Sequence, residues 1–176
     1  MKRRDALAGV VGLTPTGGSL RIAQNGLPTE QSSDSDNALP REVETLDAPG
    51  SNAGTAVVPT PDTVSVVDLF ATWCAPCDDQ LEILRPLEAE YDSVSFVSIT
   101  NERPSETLTR EDIAQWWAEN SGNWTVGLDP GSDLLAAFSA NGLPYIVITD
   151  TDGEIVYDHG GLAGAETLRT ELDNVV

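Results

Sequence analysis

The chain has 176 residues, with 29 Asp and Glu against 9 Lys and Arg, for a formal net charge of −20. Its length suits one domain with a tail and excludes a large multidomain enzyme, and no apolar run approaches the roughly 20 residues of a membrane span. Lys2 is the only lysine and the arginines are scattered, so the clustered cations that a phosphate backbone requires are absent and nucleic acid is excluded as a partner.

Lys2, Arg3 and Arg4 precede a short apolar run at 6–13. A charged segment followed by such a run is an export-signal pattern, and Arg3-Arg4 with Leu7 three residues later resembles a twin-arginine signal. Thr14, Pro15, Gly17 and Gly18 interrupt the run, and no small-x-small cleavage site stands before Arg21. Residues 1–25 are therefore expected to be an export signal or an N-terminal membrane tether. The product is placed outside the cell or on the outer face of the cytoplasmic membrane. No cysteine follows the run, which excludes a lipid-modified cysteine anchor. Residues 26–40, ending EQSSDSDNALP, are polar, acidic and without periodicity, as in a disordered linker.

Folded sequence is expected over 41–176. Alternation at 42–46 and 55–58, with Pro49, Gly50 and Gly54 between, predicts a β-hairpin. Residues 63–72, TVSVVDLFAT, form an almost continuous β-branched and apolar run, as a strand buried on both faces would. Leu81, Leu84, Leu87 and Tyr91 then fall at helical spacing, and 94–100 is a second buried strand. Strand, helix, strand predicts a right-handed crossover joining a parallel pair.

Residues 109–120 read as a helix with Thr109 as N-cap and Asp112 as its reciprocal acidic partner. Ile113, Trp116 and Trp117 form its apolar face. A short strand at 124–128, an Asp129-Pro130-Gly131 turn, and a helix capped by Ser132 and running to about Ala140 follow. Residues 145–149 and 154–157 make an antiparallel pair about an Asp-Gly turn, and 165–175 closes the chain as a helix. Asn123-Trp124-Thr125 matches the N-glycosylation acceptor pattern, in a place where Trp and Thr also suit strand packing.

The only cysteines are Cys74 and Cys77, and the only histidine is His159. A disulfide-stapled scaffold needs more cysteines at wider spacing, and a structural zinc site needs two further ligands. Chemistry therefore concentrates at the pair. Trp73-Cys74-Ala75-Pro76-Cys77 directly after a buried strand, with Gly142-Leu143-Pro144 before a later one, resembles the thioredoxin superfamily. The inserted Trp-containing helix and strand make 41–176 more similar to the exported TlpA/ResA-type thiol-disulfide oxidoreductases than to minimal thioredoxin. The resemblance implies an α/β thioredoxin fold: a central mixed β-sheet flanked by helices, with an N-terminal β-hairpin and an inserted helix-strand. Sparse lysine and an acidic excess are similar to secreted proteins of halophilic archaea.

At a helix N-terminus, unpaired N–H groups and the helix dipole favour a thiolate, which makes Cys74 the attacking sulfur. Cys77, within one turn, resolves the mixed disulfide. No cofactor beyond this redox-active disulfide and no metal are expected, and Pro76 costs little where the helix begins. The resemblance implies a cis peptide at Pro144 facing the cysteines, and a buried Asp68 that accepts the proton of Cys77. Trp73, Ala75, Pro76 and Leu143 are expected to contact substrate, with Trp73 also shielding the cysteines. The expected partners are protein thiols or disulfides and an upstream electron donor or acceptor, met by a monomer.

Two features depart from the family pattern. Glu82 stands where a helix-kinking proline is usual, and Asp78-Asp79 follow Cys77 where a basic residue is common. Two alternatives compete. A peroxiredoxin-like peroxidase usually sets a Thr three residues before its cysteine, whereas Thr72 is two before Cys74. A copper-carrying assembly factor would take His159 as third ligand.

Overall fold

The structure, a computed structural model, describes residues 38–176. The expected export signal lies outside the described residues, as does the linker up to residue 37. Leu39, near the end of that linker, packs against the domain core.

The chain order is β1 (Arg41–Thr45), β2 (Gly54–Val58), β3 (Ser65–Phe70), α1 (Ala75–Glu90), β4 (Ser95–Thr100), α2 (Arg110–Glu119), β5 (Thr125–Leu128), α3 (Asp133–Ala137), β6 (Tyr145–Thr149), β7 (Ile155–Gly160) and α4 (Ala165–Val175). The strands form one sheet in the order β2-β1-β5-β4-β3-β6-β7. β3, β4 and β5 run parallel, while β1 and β6 pair antiparallel to β5 and β3. This is the thioredoxin-like α/β arrangement expected from the sequence, with the hairpin and the inserted helix-strand joined in the same sheet.

Every residue of β3 is buried, because helices cover both sheet faces. Successive side chains point to opposite faces. Val66 and Phe70 join the layer that holds Cys77, Leu81 and Leu84 of α1, Ile113 and Trp117 of α2, and Leu168 and Leu172 of α4. Val67 and Leu69 face a thinner layer with Leu134 of α3 and Phe138 just beyond it. Asp68 shares the parity of Val66 and Phe70, so it belongs to the α1 side.

α2 begins with the predicted reciprocal cap: Asp112 N–H donates to Thr109 Oγ1 at 3.1 Å and Thr109 N–H to Asp112 Oδ2 at 2.8 Å. The hairpin leans on this insertion. Trp117 Nε1 donates to Pro49 O at 3.0 Å, and Gly50, at φ 74°, approaches so closely that a Cβ would lie 2.0 Å from the Asn123 carbonyl carbon.

α3 corrects two expectations. It ends at Ala137 rather than near Ala140, with the backbone turning left-handed at Ser139 (φ 55°). Ser132 is itself left-handed (φ 61°) and makes no side-chain cap. Asp129 caps instead, its two carboxylate oxygens accepting from Asp133 N–H at 3.0 Å and Leu134 N–H at 2.8 Å. The Asp-Pro-Gly turn aims that carboxylate at the helix start. α1 carries an internal proline, but at Pro86 rather than five residues after Cys77.

Candidate active site

The site is built where β3 ends. After Phe70 the chain turns, with Cys74 N–H donating to Ala71 O at 3.0 Å, and Cys74 becomes the N-cap residue of α1. Cys77 N–H donates back to Cys74 O at 2.9 Å, closing the first turn of the helix. Cys74 and Cys77 form a disulfide, S–S 2.07 Å. Cys77 is fully buried at 0 % exposure, whereas Cys74 keeps 5 %. Of the two sulfur-bearing residues, Cys74 is the one that keeps contact with solvent.

Ala75 and Pro76 are exposed around it, and Trp73 stands out into solvent at 73 %, the most exposed large apolar side chain among the described residues. The Leu143–Pro144 peptide is cis. The pairing of Leu69 with Tyr145 brings Pro144 beside the end of β3 from which the Cys74 turn departs. Pro144 O accepts from Gly161 N–H at 2.8 Å, and Leu143 is half-buried beside it. His159 lies exposed on β7, stacked on Tyr157, and among the described residues no three His, Cys, Asp or Glu side chains gather as a metal site.

Asp68 is 1 % exposed and sits on the sheet face that α1 covers. Burial pushes its carboxyl up to about 7, with the Ser98 hydrogen bond pulling in the opposite direction. Ser98 Oγ donates to Asp68 Oδ2 at 2.8 Å, and Trp124 Nε1 donates to Ser98 Oγ at 3.0 Å. Asp68 Oδ1 is buried without a hydrogen-bond partner.

Four further residues support the site and are missed in the sequence reading. Glu102 receives the Thr72 N–H and the Thr72 hydroxyl, both at 2.8 Å, fixing the residue that leads into Trp73. No periodicity marks Glu102, which follows β4 in a loop. Gln80, fully buried, accepts from Ala163 N–H at 2.7 Å and donates to Ala163 O at 3.3 Å, clamping α1 to the segment before α4. A signal for it exists: Gln80 falls on the apolar stripe of Cys77, Leu81, Leu84 and Leu87, where a polar residue must find partners. Ser98 and Trp124 read as strand residues until the register places Ser98 opposite Asp68.

Comparison with known proteins agrees with this geometry. A family model described as Redoxin matches residues 35–175. The chain is 27 % identical over 111 residues to the Thiol:disulfide interchange protein CycY of Rhizobium leguminosarum bv. viciae, covering 62 % of this chain and 56 % of that protein. It is 22 % identical over 111 residues to the Thiol-disulfide oxidoreductase ResA of Bacillus cereus, covering 62 % of this chain and 61 % of that protein. The match thus spans less than two thirds of either curated relative. In fold it is similar to a putative Thiol:disulfide interchange protein DsbE from Chlorobium tepidum, with a TM-score of 0.61, 20 % identity, and coverage of 77 % of this chain and 96 % of that one.

Proposed function

The chain belongs to the Redoxin family, and we propose that it acts as an exported thiol-disulfide oxidoreductase, reducing or exchanging disulfides of extracytoplasmic proteins through Cys74 and Cys77. The observation that carries this reading is the Cys74–Cys77 disulfide at the start of α1, with Cys77 wholly enclosed and Cys74 keeping 5 % exposure beside an exposed Trp73. The names of the curated relatives agree with it.

In the reduced protein, the Cys74 thiolate attacks one sulfur of a substrate disulfide. A Cys74–substrate bond forms, the substrate disulfide breaks, and its other sulfur leaves as a thiolate. Cys77 then gives its proton to Asp68 and attacks the Cys74 sulfur. The intramolecular disulfide forms and the substrate's second thiolate departs. Two thiols of the protein are oxidised and one substrate disulfide is reduced, and an upstream dithiol donor restores the starting state. Run backwards, the same steps oxidise a substrate.

Trp73, Ala75, Pro76, Leu143 and Pro144 form the rim that receives the substrate segment. Asp68 suits its role because a carboxyl near 7 can both take and release a proton at neutral pH. The twin-arginine pattern at Arg3-Arg4 supports export, and 29 acids with a single lysine support work in concentrated salt.

Reduction of insulin by dithiothreitol tests the assignment. Cys74→Ser is expected to abolish catalysis, and Cys77→Ser to accumulate mixed disulfides visible on a non-reducing gel. Catalysis surviving in Cys74→Ser would refute the reading. Partners trapped on Cys77→Ser in the native cell envelope identify the substrate and the direction of electron flow together.

A further inference from the structure

We propose that Ser98, held by Trp124, is a positioning residue for the resolving step: it anchors one oxygen of Asp68 and leaves the other free to receive the Cys77 proton. The proposal rests on the reading of Asp68 as proton acceptor given above.

The inference starts from donor arithmetic. An indole N–H can only donate, while a serine hydroxyl has a single hydrogen to give and two lone pairs that accept. Trp124 Nε1 occupies a lone pair of Ser98 Oγ at 3.0 Å, so the Ser98 hydrogen is directed onward to Asp68 Oδ2 at 2.8 Å. All three residues are buried, on or beside three adjacent strands, so water does not substitute for any of them. In such surroundings each bond polarises the next. Asp68 Oδ1 is left as a buried acceptor without a partner, on the face shared with Cys77.

The surroundings of Asp68 limit what else could tune it. β4 sets Ser98 beside it and β6 sets Ile146. α1 contributes Cys77, Leu81 and Leu84 to the same layer, α2 Ile113 and Trp117, and α4 Leu168 and Leu172. Asp78 on α1 is half-buried, its Oδ1 enclosed without a hydrogen-bond partner, and Glu102 after β4 accepts from Thr72. The buried Asp129 caps α3 and belongs to the other layer. Among the described residues, Ser98 is therefore the only side chain that donates to the Asp68 carboxylate.

The transfer can be followed with 5,5′-dithiobis(2-nitrobenzoate) on the reduced full-length protein. Cys74 releases one coloured thiolate by forming a mixed disulfide, and Cys77 releases the second by resolving it. The rate of the second release is measured against pH. Loss of a hydrogen bond to a charged acceptor is expected to move its midpoint upward by about one pH unit in Ser98→Ala. At pH 7 the second release then slows roughly five- to tenfold while the first changes less than twofold. Ser98→Thr restores the wild-type midpoint, and Trp124→Phe, which keeps Ser98, shifts it upward by less.

An unmoved midpoint in both Ser98→Ala and Trp124→Phe, or an equal slowing of both releases at every pH, overturns the proposal. Asp68→Asn separates the two layers of inference. If it removes the midpoint and the Ser98 and Trp124 variants leave it in place, only the role of Ser98 fails. If Asp68→Asn keeps the wild-type profile, the reading of Asp68 fails and carries this one with it.

Discussion

Asp68 is a buried carboxylate in β3, and the cost of enclosing its charge is measurable. Its carboxyl is raised from 3.8 to about 7 by burial. The folded protein therefore binds this proton more tightly than the unfolded chain does. The resulting stabilisation is fully present below about pH 4 and is lost as the pH climbs to about 7, beyond which it stays lost. Asp68→Asn removes the slope. In urea unfolding of the oxidised protein, the variant is expected to be more stable than wild type at pH 8, by on the order of 2–4 kcal/mol, and to show no advantage at pH 4. Equal stabilities at both pH values would contradict the raised carboxyl. Asp68 is legible in the sequence through the resemblance, since VVDLF ahead of WCAPC matches the family's strand with its buried carboxylate. Its partner Ser98 is not, since pairing of β3 with β4 is a long-range register that no local pattern encodes.

Among the elements, α1 illustrates how a helix is placed as well as formed. Its apolar stripe predicts the helix and the face it buries, but not the clamp that fixes its distance from α4. Gln80 supplies that clamp through both backbone groups of Ala163. Gln80→Ala leaves an N–H and a C=O unpaired in the interior, and the expected loss is about 2–4 kcal/mol. Thermal unfolding checks it, and a melting point unchanged from wild type would mean that water replaces the amide. The misread start of α3 has a related cause. Ser132 has the right residue type for a cap, yet the Asp-Pro-Gly turn carries the backbone into a left-handed conformation there, and Asp129 reaches the helix first. Residue type alone does not reveal which of two nearby oxygens faces the free N–H groups.

For the molecule as a whole, charge governs more than any single pair does. The ion pairs Arg110–Glu44 and Arg169–Glu90 are exposed and contribute little each, so a net charge of −20 acts mainly as self-repulsion. Screening shortens its reach to roughly 3 Å at molar salt. The melting temperature is therefore expected to rise steadily with KCl from dilute buffer to several molar, and a flat or falling curve would count against adaptation to salt. The succession of strands and helices and the cysteine pair are readable in advance, because periodicity and the WCxPC spacing are local. How unequally the helices divide between the two faces of the sheet is not, because that depends on the order in which distant strands pair. One side carries α1, α2 and α4, while the other carries only the five residues of α3. Amide hydrogen exchange should register that imbalance as two tiers of protection, with α3 trading its hydrogens early and α1 late. The cysteine pair rides on the slow tier, so the lightly roofed side is expected to breathe without loosening the grip on the sulfurs.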